Sequence, residues 1–187
     1  MRKHNGMRPQ DVAVLMRIAL WGDRPWRYAD LSQALKISQS EVSEALNRCQ
    51  AARLVDPSRR RVFRSSLLEF LTHGLKYVFP VQPGAVLRGV PTAHSAPPLA
   101  GRIVAEQEVY VWPHAGGSLR GQAIEPLYPT AVAAAQADPE WHAALALLDA
   151  LRVGKAREQK LAIELIQEAF NAAPYAAETP ELARTGS

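Results

Sequence analysis

The sequence predicts an α+β chain that is mostly α. Three observations lead there. Apolar residues recur at helical spacing in the first and last thirds, as in Val12, Leu15, Met16 and Ala19, or Leu161, Ala162, Leu165, Ile166 and Ala169. Short β-branched and aromatic runs such as Val109-Tyr110-Val111-Trp112 are confined to the middle. Between these zones prolines gather, with five of the 14 lying between positions 80 and 98.

The 187 residues are 48% hydrophobic and 21% charged, which suits a folded chain with one core and an extension. No run approaches the about 20 apolar residues that span a bilayer. The basic start MRKHNGMRPQ leads into a segment interrupted by Asp11 and Arg17, so it does not read as a signal peptide. A cytoplasmic chain without membrane contact is the expectation. Cys49 is the only cysteine, which excludes intrachain disulfides and cysteine-based zinc sites. The net charge of +4 is unevenly spread. Residues 1–64 hold 13 Lys+Arg against 6 Asp+Glu, and the remainder holds 9 against 12. A basic front with a mildly acidic back fits a nucleic-acid module joined to a partner or regulatory region.

The elements follow in order. Arg8-Pro9-Gln10-Asp11 is a helix start, with proline at the first position and an acid in the first turn. Gly22-Asp23-Arg24-Pro25 ends that helix. In YADLSQALKISQSEVSEALNRCQAARLV, beginning at Tyr28, Leu31 and Leu35 mark one short helix. Ser38 with Glu41 forms a capping box that opens the next. Val42, Ala45, Leu46 and Cys49 give that helix its buried face and leave Gln39, Ser40, Ser43, Glu44, Asn47 and Arg48 outside. Leu54-Val55 and Arg61-Val62-Phe63 are β-prone runs around the turn DPSRR, a hairpin with a cationic tip.

SSLLEFLTHG reads as a fourth helix, capped by Ser65 or Ser66 and stopped by Gly74. LKYVFP reads as a strand, positions 80–98 as an irregular but ordered connector, and Ile103-Val104 and Val109–Trp112 as strands. PHAGGSLRG reads as a glycine-rich turn. Thr130 to Gln136 is an alanine-rich helix, Asp138-Pro139-Glu140 starts another that Gly154 interrupts, and a final long helix follows.

Helix, helix, helix, hairpin is the order of a winged helix-turn-helix. Residues 8–64 resemble the MarR-type winged-helix regulators, whose phrase resembling SqseVSraLrrLeeaGLV is matched here by Ser38, Val42, Ser43, Leu46 and Leu54-Val55. Lys36 and Arg53 depart from that pattern, since they stand where glycine often supplies a positive φ. The resemblance implies binding to double-stranded DNA. Gln39, Ser40, Ser43, Asn47 and Arg48 would face base edges, while Arg59, Arg60 and Arg61 would face phosphates, with Arg2 and Lys3 on an N-terminal arm. The later stretch from FLTHGLKYVFP to LDALRVGKARE distantly resembles uncharacterised winged-helix proteins of nucleotidyltransferase-type toxin operons, and that resemblance carries no residue roles.

Other chemistry has little support. The five histidines form no HxxxH or HxH pair, and AGGSLRG contains neither GxGxxG nor a Walker lysine. Cys49 falls on an inner helical face, the position of a core thiol rather than a redox sensor. Arg152, Lys155 and Arg157 surround Gly154, with Asp149 and Glu158 beside them. They form either a partner-binding knuckle or a charged corner between helices. The expected organisation is a winged helix-turn-helix over 1–75, a proline-rich connector with short strands over 76–128, a helical region over 129–172 and a disordered tail over 173–187. The expected function is a transcriptional regulator acting as a repressor, not an enzyme, and without a cofactor. It would dimerise through Leu145, Leu148, Leu151, Leu161, Leu165 and Ile166. The alternative is an antitoxin-like module that binds and silences a partner enzyme.

Overall fold

A computed structural model of the protein describes residues 6–103 and 108–174. The chain is α+β and mostly helical, with one small three-stranded sheet. The expected arm residues Arg2 and Lys3, the strand residue Val104 and the tail beyond Pro174 lie outside the described residues.

Helices α1 (Pro9–Trp21), α2 (Tyr28–Leu35) and α3 (Gln39–Ala51) pack on one another through Leu15, Ile18, Leu31, Leu35, Val42 and Leu46, all essentially fully buried. An acid three residues past the N-cap sets each start. Asp11, Asp30 and Glu41 accept from the backbone N–H groups of Arg8, Arg27 and Ser38, at 2.8, 2.7 and 2.9 Å. Each carboxylate satisfies an orphan donor and meets the positive end of the helix dipole. After α3 the chain forms a minimal hairpin. Val55 and Val62 make a single antiparallel bridge, flanked by bonds from Phe63 N to Leu54 O and from Asp56 N to Arg61 O, each 2.9 Å.

Several expectations need correction beyond this point. Helix α4 (Arg64–His73) starts ahead of Ser65 and Ser66, with Phe63 at the N-cap and no side-chain cap. Gly74 ends α4, as expected. It sits at φ −113° and ψ −40°, and α5 (Leu75–Val78) follows at once where a strand was expected. Leu75 is fully buried there while Tyr77 and Val78 point outward, an arrangement one helical turn can satisfy without a strand partner. Gly74 is required instead because a Cβ would lie 2.8 Å from the Phe70 ring. The connector contains a true strand, β1 (Val86–Pro91). The supposed glycine-rich turn runs into another, β3 (Leu119–Ala123), while Ile103 makes only a bridge to Ala100.

Strand β2 (Tyr110–Pro113) pairs antiparallel with β1, β3 pairs antiparallel with β1, and β2 and β3 close the ring in parallel. The closure is so tight that a Cβ at Gly117 would stand 2.2 Å from the Gly89 backbone, and one at Gly89 would stand 2.0 Å from Trp112 O. Close backbone approach, not phosphate binding, accounts for these glycines.

Helices α6 (Ala131–Ala137), α7 (Pro139–Val153) and α8 (Ala156–Ala172) complete the fold. Asp149, 1% exposed, fastens the sheet to α7 by accepting from Thr92 Oγ1 (2.8 Å), Trp112 Nε1 (2.7 Å) and Arg152 Nη1 (2.9 Å). Burial raises its carboxyl pKa, against the opposing pull of Arg152 and the two hydroxyl and indole donors. Arg152 also donates to Phe79 O and Glu125 O. Of the group around Gly154, Asp149 and Glu158 are buried, while Lys155 and Arg157 are exposed.

The apolar core is continuous from α1 to α8. Arg17 lies between the Trp21 and Trp141 rings, at 5.2 and 5.1 Å, and donates to Asp138 at 2.6 Å. Arg64 donates to Ala19 O, Phe170 O and Ala173 O, at the C-terminal ends of α1 and α8. The dimer surface expected in the last third is therefore not on offer. Leu145, Leu148, Leu151 and Ile166 are at most 4% exposed within one chain, and Leu161 and Leu165 are partly buried against the same core.

Candidate nucleic-acid interface

The candidate surface is built from α3, the turn before it and the 54–63 loop. The turn depends on Lys36, which is left-handed at φ 56° and ψ 42°. Its N–H and that of Ile37 bond to Ser32 O, and Ser32 Oγ donates to Ile37 O at 2.6 Å. Ser38 then caps α3. Its Oγ accepts from Glu41 N (3.1 Å), and the backbone N–H of Ser38, followed by its hydroxyl, lowers the Glu41 pKa. At the far end Arg53 is left-handed at φ 58°, with Leu54 N bonded to Cys49 O and Arg53 N to Gln50 O, a Schellman ending with arginine where glycine is usual. Cys49 is fully buried, and burial pushes its thiol pKa far up.

Of the outward residues expected on α3, Gln39, Ser40 and Asn47 are exposed and Ser43 is half-buried. Arg48 is not outside. Its side chain is 13% exposed and reaches across to α1, where Nε and Nη2 donate to the two oxygens of Asp11 at 2.8 and 2.7 Å. The Asp11 carboxylate has no exposure at all, so Arg48 is committed to it, and the bonding raises the arginine pKa. Helical periodicity alone puts position 48 on the rim of the helix. A buried acid on a neighbouring element pulls the long side chain inward, which no local pattern reveals.

The loop is ordered by one carboxylate. Asp56 accepts from Arg60 N (2.8 Å), Arg61 N (2.9 Å) and the Ser58 hydroxyl. Burial pushes its pKa up, but these donors outweigh it and the net shift is downward. The three loop arginines do not act alike. Arg59, left-handed at φ 59°, donates to Asn47 and ties the loop to α3. Arg60 lies over the Trp26 and Tyr28 rings, at 4.9 and 5.5 Å, and donates to Trp26 O at 3.0 Å. Arg61 is exposed beside it. The segment Arg24-Pro25-Trp26-Arg27 thus joins the surface, a contribution the sequence reading missed. Its signal is an aromatic set between two arginines.

The resulting face combines amide and hydroxyl groups on α3 with exposed Arg24, Arg27, Lys36, Arg53, Arg60 and Arg61, against Glu41 and Glu44. Such a face can donate to phosphates and hydrogen-bond to base edges. Among the described residues no helix is long and apolar enough to cross a membrane. No family model matches the chain, and neither curated proteins nor solved structures yield a match.

Proposed function

We propose that the protein is a double-stranded-DNA-binding transcriptional regulator, a repressor of winged helix-turn-helix type. In this reading Gln39, Ser40 and Ser43, in the first turns of α3, meet base edges, while the loop cations hold the backbone. The observation that carries it is the pairing of an exposed polar turn on α3 with a cationic loop fixed to the same helix through Asn47 and Arg59. A helix N-terminus entering the major groove beside a rigid basic loop is the docking geometry of helix-turn-helix proteins. Such a small footprint calls for a homodimer on two half-sites.

The test is binding to a randomised duplex library. Gln39→Ala and Ser43→Ala should each lose about 1–3 kcal/mol of discrimination at one base pair, with non-specific affinity nearly intact. Wild-type discrimination by both variants would show that α3 is not the reader.

A second reading is an antitoxin-like module that silences a partner enzyme. It draws on Tyr77 and Val78, exposed by 73% and 55% on α5, and on Val86, Leu87 and Leu119, which stand outside the core on β1 and β3. Isolated exposed apolar side chains are ordinary, but Val86, Leu87 and Leu119 stand on two paired strands, which suits a protein contact. Tyr77→Ser with Leu119→Ser should abolish partner inhibition and leave DNA affinity unchanged.

A further inference from the structure

Two arginines lie side by side on the sheet without an acid between them. Arg88 on β1 and Arg120 on β3 stand directly opposite, and Val86 pairs with Gln122 two residues along, so the four share one face of the ladder. Val86, Arg88 and Arg120 are exposed and Gln122 is half-buried. Arg88 makes one long bond, to Gly117 O at 3.4 Å. Among the described residues neither arginine has an acid within ion-pair distance. Like charges set opposite each other weaken a strand pair, and no described acid offsets them here.

The same strand leads to an acid of the opposite kind. Glu125 follows the end of β3, is exposed, and also lacks an ion pair among the described residues. Its place is fixed by Arg152, whose guanidinium donates to both Phe79 O (3.0 Å) and Glu125 O (3.2 Å). The end of β3 is therefore held beside the end of α5, where Tyr77 and Val78 are exposed. Lys76, the cation of α5, gives its ammonium to Gln159 Oε1 at 3.4 Å. Along β3 and its neighbours the order is two cations, then Val86 with Gln122, then Glu125 beside Tyr77 and Val78. From Arg120 to Glu125 the chain covers at most about 17 Å, at about 3.3 Å per residue.

A strip with opposite charges at its two ends is complementary to a second copy of itself, turned about a two-fold axis through its middle. We propose that this strip is a homodimer interface. The axis passes near Val86 and Gln122, and Glu125 of each copy meets Arg88 and Arg120 of the other. Tyr77 then comes within reach of the same guanidinium groups, where an aromatic face attracts a cation. Such a pair of chains is what the DNA-binding reading above calls for, and the interface rests on that reading for its purpose alone.

The test is sedimentation equilibrium of the full chain without DNA. It compares the wild type, Arg88→Glu/Arg120→Glu, Glu125→Arg, and an equal mixture of these two variants. The wild type should dimerise at micromolar concentration. Each variant alone sets like charges against each other in both symmetric contacts, so its dimer should be weaker by about a hundredfold. The mixture sets opposite charges in both contacts, so heterodimers should recover the wild-type affinity. Arg88→Glu/Arg120→Glu keeps a like-charge pair within the ladder, so its folding should match the wild type, as checked by a circular dichroism melt. Tyr77→Ser, which changes no charge, should weaken the dimer about tenfold.

A monomeric wild type would overturn the interface, and if that monomer binds duplex the DNA reading stands. A dimer that every variant leaves intact would overturn it as well, because the contact then lies elsewhere. Variants that dissociate without rescue in the mixture would refute the pairing of Glu125 with the two arginines. A dimer that follows the charge reversals but binds no duplex keeps the interface and removes the DNA reading.

Discussion

Replacing Arg48 with alanine distinguishes a side chain that reads DNA from one that holds the fold together. In the wild type the Asp11 carboxylate is wholly enclosed and accepts three bonds, two from Arg48 and one from Arg8 N. The variant leaves that charge with the backbone donor alone. Breaking a buried pair from one side costs about 3–5 kcal/mol, because the surviving charge stays desolvated. For a chain of this length each kcal/mol shifts the melting temperature by about 2–4 °C, so the expected loss is roughly 6–20 °C.

Arg48→Lys should recover part of it, since an ammonium restores charge but not the two-pronged geometry. Asp11→Asn with Arg48→Met should lie well above the sum of the single losses, as the double variant buries no unpaired charge. Calorimetry and urea denaturation report the wild type, these variants and the single substitutions Asp11→Asn and Arg48→Met. Below its melting temperature Arg48→Ala should keep the base preferences of the wild type. A melting temperature within 2 °C of wild type, or an altered base preference in a folded protein, would refute the structural role.

Three further outcomes follow from the same geometry. Arg53 holds a left-handed backbone that costs a non-glycine residue about 1–2 kcal/mol. Arg53→Gly should therefore stabilise the protein by about 0.5–1 kcal/mol once the extra freedom of glycine in the unfolded chain is subtracted, as read from the urea midpoint. Arg88 and Arg120 stand directly opposite on β1 and β3, both exposed. Arg120→Glu should exchange a like-charge pair for an ion pair worth roughly 0.2–1 kcal/mol, an effect that 1 M salt should erase.

Tyr128 is 3% exposed, and burial raises its hydroxyl pKa to about 12. Its folded pKa lies above the unfolded value of about 10, so its contribution is complete below pH 10 and is lost as the pH climbs towards 12. The loss amounts to about 2–3 kcal/mol, at about 1.4 kcal/mol per unit. Tyr128→Phe should flatten that part of the alkaline stability profile, and an unchanged profile would contradict the assignment.

The helices at both ends were legible from the chain because their causes are local. Ser38 with Glu41, Pro9 with Asp11 and Asp138 with Pro139 declare starts within four residues, and 3.6-residue periodicity declares which faces are buried. Lys36 and Arg53 were legible as well. The resemblance to winged-helix regulators implies glycine at both places, and both residues adopt positive φ. The sheet was read only in part. Tyr110–Pro113 announces itself by composition, but β1 lies among prolines and β3 beside two glycines. Those residues are tolerated because the strands close on one another, a fact that exists only once the chain has folded.

The candidate site divides in the same way. Gln39, Ser40 and Asn47 stay exposed as periodicity requires. The long cationic side chains followed partners that are remote in sequence. Arg48 turned to Asp11, Arg60 to the Trp26 ring and Arg152 to the carbonyls of Phe79 and Glu125. Arginine has reach and five donors, so its destination is set by whichever acceptor or ring the tertiary structure brings near. The leucines of the last third show the complementary case. Periodicity established that one face must be buried, and only the packed structure decided that α1, the sheet and α8 of the same chain cover it.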